Sequence, residues 1–262
     1  KKSPELAVLS IQYTEFSQWQ RNHLQGNLLN SKLSYWEQQL AGMPHFLQLP
    51  IDHQRPSHQS YRGNHFDFYI DASTVDKLKQ LGRNNKATLF MVLLSAFQIL
   101  LHYYTQQTRF LVGTVVADRQ QQALESVIGL LINTVVLRAD FTISSNESPL
   151  TFQQLLIRVR QMTHDAYMHP DVPFERLIDT LNVERNLSCH PLIQVMFALQ
   201  NTPIDEVKLS GLQTSQLSIK DAHSTRYDLE FHLLETAGAL KGTFIYSTDL
   251  FNESTISRMA GH

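Results

Sequence analysis

From Leu89 to Tyr104 the chain is apolar on nearly every side of a helix, interrupted only by Ser95, Gln98 and His102. Such a helix has no face to give to water, so other elements must wrap it. It is shorter than the roughly 18–20 apolar residues that a bilayer crossing needs. Thr88, immediately before it, is a suitable N-cap. These residues predict a layered fold built around a central buried helix.

The flanking segments supply the layers. His65 to Ile70 alternates Phe66, Phe68 and Ile70 with polar positions, which predicts a half-buried strand. Val75, Leu78 and Leu81 predict an amphipathic helix over 72–85. Phe110 to Ala117 is rich in β-branched residues and reads as a strand. Ile132 to Arg138 follows as another, after a turn marked by Gly129. Phe152, Leu155, Leu156, Val159, Met162 and Ala166 lie at helical spacing after Pro149. A short helix carries Phe174, Leu177 and Ile178, and Ile193 to Leu199 is a further apolar strand. Tyr227, Leu229, Phe231 and Leu233 alternate, as do Leu240, Phe244 and Tyr246, with Gly238 marking a hairpin between them. A last helix begins at Glu253. Strands alternating with helices and closing on a hairpin predict an α/β domain with a mixed sheet.

The N-terminal part differs. Tyr13, Phe16 and Trp19 predict a helix within 11–24. Leu33, Trp36 and Leu40 predict a second over Lys32–Leu40, with Ser31 as its N-cap and Gly42 and Pro44 ending it. Residues 49–56 hold two prolines and read as extended. We therefore expect a helical crossover arm over 1–56 and a main lobe over 57–262. Lys1 is not an initiator Met and the chain stops at Gly261-His262, which leads us to expect a fragment of a longer protein.

Composition narrows the partners. The net charge of -2 gives no bulk reason to expect nucleic acid or an anionic membrane. Nothing resembling a secretory signal follows Lys1-Lys2-Ser3-Pro4. The single cysteine, Cys189, excludes an internal disulfide framework and fits a reducing, cytoplasmic compartment. Its neighbours Ser188, His190 and Pro191 carry no nucleophile signature, so a packed or half-exposed thiol is expected.

No phosphate loop, nucleophile elbow or metal-ligand cluster occurs. Asp171, Glu175 and Asp179 gather around one helix start, where carboxylates complement the helix dipole, and Arg176 and Arg185 can pair with them. Asn133 is a polar amide in an otherwise apolar strand, and read alone it predicts a structural tie.

Five separated motifs together are more specific. Ile11 to Arg21, ending in Trp19-Gln20-Arg21, resembles the aromatic Trp-x-Arg helix of the condensation domains of nonribosomal peptide synthetases. Val112 to Arg119 is similar to that family's VGTPxAxR, with Val115 in place of Pro. Residues 128–138 resemble IGxFVNTxxxR, with Leu131 in place of Phe. Residues 169–179, HPDVPFERLID, resemble HQDxPFExLx. Residues 185–201 resemble RDxSRxPLFQVMFxxQN, with Cys189 in place of Arg and Ile193 in place of Phe. Order and spacing agree over 11–262.

The resemblance implies a V-shaped enzyme of two lobes, each like chloramphenicol acetyltransferase. It joins a donor acyl thioester to an acceptor aminoacyl thioester, both carried on the phosphopantetheine of peptidyl carrier proteins. No cofactor is implied on the chain itself. The family's HHxxxDG, whose second His serves as base or positions the amine, is absent, since no His-His pair occurs in the sequence. The chain thus resembles the C-terminal lobe of a peptide-forming member, with no catalytic residue of its own and expected to be inactive alone. The implied partners are the N-terminal lobe, carrier proteins and an adjacent adenylation domain.

The resemblance further implies that Asn133 and Trp19 line the acceptor side of the channel and that Thr114 and Arg119 lie near its floor. The charge and position of Arg21 make it the candidate partner of a carboxylate on the other lobe, and the polar strand end Gln200-Asn201 is expected to border the channel. His169, Asp171, Arg176, Asp179 and Asp228 are expected to be structural. The hairpin at 227–248 is expected to latch onto the N-terminal lobe. Three other readings compete: a free-standing CoA-dependent acyltransferase, an epimerization or cyclization relative, and a non-catalytic docking or scaffold piece.

Overall fold

A computed structural model describes residues 8–117, 119, 121–143, 148–200, 211–212 and 224–262. Six strands form one mixed sheet: β1 (Gly63–Ile70), β2 (Arg109–Ala117), β3 (Ile132–Asp140), β4 (Val195–Gln200), β5 (Leu229–Thr236) and β6 (Ala239–Ser247). Their order is β1-β6-β5-β4-β2-β3. β5 runs parallel to β4 and β4 parallel to β2, while the other neighbours are antiparallel. Seven α-helices accompany them among the described residues: α1 (Tyr13–His23), α2 (Gly26–Leu40), α3 (Ala72–Asn84), α4 (Leu89–Thr105), α5 (Phe152–Tyr167), α6 (Phe174–Thr180) and α7 (Glu253–Gly261). The expected α/β class, a mixed sheet flanked by helices, is the one observed.

α4 is the central buried helix. Leu94 and Leu101 are fully buried, and the Phe97 ring packs on those of Phe197 and Phe231 at 5.6 and 5.1 Å. Each such fully buried side chain contributes on the order of 2–3 kcal/mol of apolar burial. The Thr88 hydroxyl caps the first turn by accepting from Met91 N at 3.3 Å. Two of the three polar interruptions are satisfied locally. Ser95 Oγ donates to the Met91 carbonyl, and the His102 ring bonds the Gln107 carbonyl and stacks on Phe141.

The N-terminal arm departs from expectation. α2 begins at Gly26, so Ser31 lies inside the helix and Gln25 is the N-cap. Apolar Leu28 and Leu29 and the absence of any breaker before Ser31 let the helix start early. The segment after it is no free linker. Trp36, Leu40, Met43, Leu47 and Leu49 join the main core, and Leu47 N donates to the buried Gln194 Oε1 at 2.7 Å.

α1 packs elsewhere. Phe16 joins Leu124, Val127 and Leu131 in a second, small core, with Ile11 and Tyr13 beside it. Gly129 makes this fit possible, because a Cβ there would run into the Tyr13 ring.

The 227–248 hairpin is not a projecting latch. β5 and β6 lie inside the sheet between β4 and β1. The alternation that predicted the hairpin also forces this position, because Leu229, Leu233, Leu240, Phe244 and Tyr246 all need the core.

Candidate channel-lining site

β2 and β4 register at one pair only, Gly113 with Met196. Gly113 permits that approach, since a Cβ would meet Met196 Sδ and Ile193 Cδ1. Past this pair β4 stays with β5, pairing as far as Gln200 with Leu234. A cleft of about 870 Å³ opens there, lined by Thr114 and its successors on β2, Leu199 and Gln200 on β4, and His232 on β5. Leu89, Phe90 and Met91 from the first turn of α4 wall its other side. Clefts at the carboxyl ends of parallel strands are the usual ligand sites of open α/β sheets.

A second hollow of about 270 Å³ adjoins it, with Tyr167 and Pro170 lining both. Trp19 stands in this hollow, 45% exposed, and stacks on His23 at 4.9 Å and 12°. Trp19 is therefore not a core aromatic; on α1 that part belongs to Phe16. Gln20 and Leu24 continue the trough into a third hollow, which Arg21 and Arg176 of α6 both line. The fold thus joins Trp19, Thr114, Gln200 and Arg21 along one trough. Asn201 lies outside the described residues.

Asn133 and Arg119 serve the walls rather than the open space. Asn133 Nδ2 donates to the carbonyls of Pro170 and Val172 at 2.7 and 2.6 Å, and its Oδ1 accepts from Thr134 N. The amide ties the 169–173 turn to β3. Arg119 Nη1 faces the carbonyls of Leu124, Glu125 and Val127 at 2.5–3.0 Å, gathering the loop on which α1 rests.

The remaining motif residues brace the trough, and Asp171 and Arg176 also line its second and third hollows. The His169 ring stacks on Tyr35 at 3.8 Å. Burial, helped by the Lys32 charge, lowers its pKa. Burial pushes the Tyr35 and Tyr167 hydroxyls up to about 12. Asp171 pairs with Lys32 at 2.6 Å and Asp179 with Arg185 at 3.0 Å. Asp171 is not the cap of α6, whose N-cap is Pro173. Asp228 is buried against Arg55, which reaches both carboxylate oxygens at 2.9 and 2.5 Å. Burial pushes the Asp228 carboxyl up and the Arg55 guanidinium opposes it. Burial likewise raises the Cys189 thiol, in keeping with a packed residue.

Sequence reasoning missed His232, Tyr167 and Met168. Glu230 and His232 stand two apart on β5 and so share a face, a cue present in the chain. Nothing in the local sequence announces that this face borders a cleft. Among the described residues no cluster of His, Cys, Asp or Glu could hold a metal ion, and no single helix is long and apolar enough to cross a membrane.

Comparison with known proteins gives the family and agrees with the fold. The family model described as Condensation domain matches residues 1–262. A linear gramicidin synthase from Brevibacillus parabrevis is 43% identical over 262 residues, which are 100% of this chain and 3% of that protein. Malpinin synthetase of Mortierella alpina is 38% identical over 261 residues, again 100% of this chain and 3% of the relative. The chain thus spans a small part of these relatives. The crystal structure of the X-domain from teicoplanin biosynthesis superposes with a TM-score of 0.88 at 27% identity, over 99% of this chain and 59% of that one. The condensation domain from the Monacolin K polyketide synthase MokA shares the fold, with a TM-score of 0.75 at 19% identity, over 99% of this chain and 62% of the other. With the family model matched end to end and the five motifs in order, this chain belongs to the condensation-domain family of nonribosomal peptide synthetases.

Proposed function

We propose that this chain is the C-terminal lobe of a peptide-forming condensation domain, and that its trough carries the thioester-bound substrates. The observation that carries this reading is the continuity of the trough. Trp19 stands at one end, Thr114 and Gln200 line the other, and Tyr167 and Pro170 are common to both parts. A long narrow path suits an extended phosphopantetheine arm delivered by a carrier protein better than a compact substrate. It would place a donor carbonyl near an acceptor amine, and that positioning is a large share of catalysis for such a reaction.

In this reading Trp19 and Gln200 line the path, Thr114 borders its floor, and Asn133 and Arg119 hold the walls that shape it. Arg21, exposed beside Arg176, is free to meet a carboxylate of the companion N-terminal lobe. That lobe would cover the apolar loop beside the trough, where Ile128 is 92% and Leu130 69% exposed. The base is contributed from outside these residues, because they hold no HHxxxDG. An adenylation domain and carrier proteins complete the set of partners.

Two measurements test the proposal. Aminoacyl pantetheine titrated into the full chain should shift the Trp19 indole and the Thr114 and Leu199 amides together, and no shift at any of them would overturn it. In a transfer assay with loaded carrier proteins the chain alone should give no turnover above background, since loss of a general base costs about 10²–10⁴ in rate and loss of positioning costs more. Turnover by the chain alone would also overturn the reading.

A further inference from the structure

The cleft wall holds a pair of groups that none of the five motifs includes. His232 lines the cleft, and its Nε2 lies 2.9 Å from Glu230 Oε2. Glu230 is itself held, because its Oε1 accepts from the Thr225 hydroxyl at 2.8 Å. Thr225 is buried; its Oγ1 accepts from Tyr227 N, and its single hydroxyl hydrogen is shared between Glu230 Oε1 and the Tyr227 carbonyl at 2.9 Å. The chain Thr225–Glu230–His232 therefore fixes the imidazole from behind. The other charged pair on the cleft, Lys79 with Glu235 at 2.6 Å, is neutralised within itself. Most of the remaining lining, including Leu89, Phe90, Val115 and Leu199, is apolar.

The tautomer follows from this geometry. An ionised carboxylate only accepts hydrogen bonds, so His232 Nε2 must carry the hydrogen. Nδ1 of the neutral ring is then a bare acceptor. A bare acceptor beside an apolar lining is complementary to a hydrogen-bond donor, and a thioester chain offers amide and amine N–H groups and the pantoyl hydroxyl.

We propose that Thr225, Glu230 and His232 form a subsite that accepts a hydrogen bond from an N–H or O–H donor of the chain lying in the cleft, with His232 as a positioning residue. This rests on the reading of the trough as a thioester path and adds a point at which the occupant is held in register. The pantetheine amides, the pantoyl hydroxyl and the acceptor amine are the donors such an occupant offers.

The test uses the full chain labelled with ¹⁵N-histidine, the His232 ring being assigned through its own backbone resonances. The ring should show a protonated Nε2 and a bare Nδ1, and aminoacyl pantetheine should shift Nδ1. A protonated Nδ1, in the neutral ring or in an imidazolium, overturns the proposal. His232→Phe should weaken binding of aminoacyl pantetheine about five- to tenfold, the size of one hydrogen bond. His232→Gln keeps an acceptor and should bind closer to the parent. Pantetheine that shifts the Thr114 and Leu199 amides yet binds His232→Phe as tightly as the parent removes the subsite and leaves the path intact. Pantetheine that shifts neither amide removes both. The tautomer measured on the unsubstituted chain decides the matter even if a variant does not fold.

Discussion

Asn133 holds Pro170: its side-chain Nδ2 donates to the Pro170 carbonyl at 2.7 Å, across 37 residues of sequence. The same nitrogen reaches the Val172 carbonyl at 2.6 Å, so both amide hydrogens are used. Asn133→Ala should cost about 1–3 kcal/mol, because two part-buried carbonyls lose their donors. Urea unfolding measures the loss, and hydrogen exchange should locate it in the 169–173 turn. An unchanged midpoint with unchanged exchange there would show that the tie is idle.

Gly129 and Tyr13 are in van der Waals contact only because Gly129 has no Cβ. Gly129→Ala should push α1 away from the small core of Phe16, Leu124, Val127 and Leu131. Overpacking of this kind costs typically about 1–3 kcal/mol. Trp19 rides on α1, so its fluorescence should shift before global unfolding. A spectrum and stability identical to the parent would count against this coupling.

Arg55 and Asp228 form a buried pair, with side chains 16% and 2% exposed. Arg55→Ala strands the carboxylate in the interior and should cost about 3–5 kcal/mol. Asp228→Asn removes the charge and keeps a hydrogen-bonding shape, so it should cost less. Chemical denaturation of the two variants checks the order, and equal losses would show that charge is not the issue.

His190 lies between the rings of Phe174 and Tyr227, at 5.6 and 4.6 Å. Burial lowers its pKa below the ordinary 6.5, outweighing the hydrogen bond to the Pro191 carbonyl. The unfolded chain therefore takes up a proton that the folded chain refuses. Stability is fully present above pH 6.5 and falls as pH drops below it. His169, whose pKa is also lowered, acts in the same direction. Unfolding free energies at pH values of about 7.5 and about 5.5, on either side of that range, should differ less in His190→Gln than in the parent. An equal difference would remove His190 as a source.

Much of the fold was legible in the chain. The apolar run 89–104, capped by Thr88, predicts α4 almost to the residue, and alternation at 65–70 and the β-branched residues of 110–117 predict β1 and β2. Ser31 misled because a good capping residue inside a continuous apolar stripe does not interrupt a helix. The site was legible only in parts. The motifs mark Trp19, Thr114 and Asn133, but a motif does not say which atoms remain free. Asn133 was expected to line the channel, and its amide is spent on backbone carbonyls. The spacing of Glu230 and His232 shows that they share a face, but the place of that face beside the cleft depends on β2 and β4 ceasing to pair.

Periodicity, caps and motif order determine the elements, the family and which helix is buried, because these follow from local hydrophobic pattern and backbone propensity. Tertiary structure alone decided two things: that α1 rests on a second core, and that β2 and β4 part after Gly113. Each depends on contacts between residues far apart in the chain. Their distances are set by how whole elements pack, which no local pattern encodes.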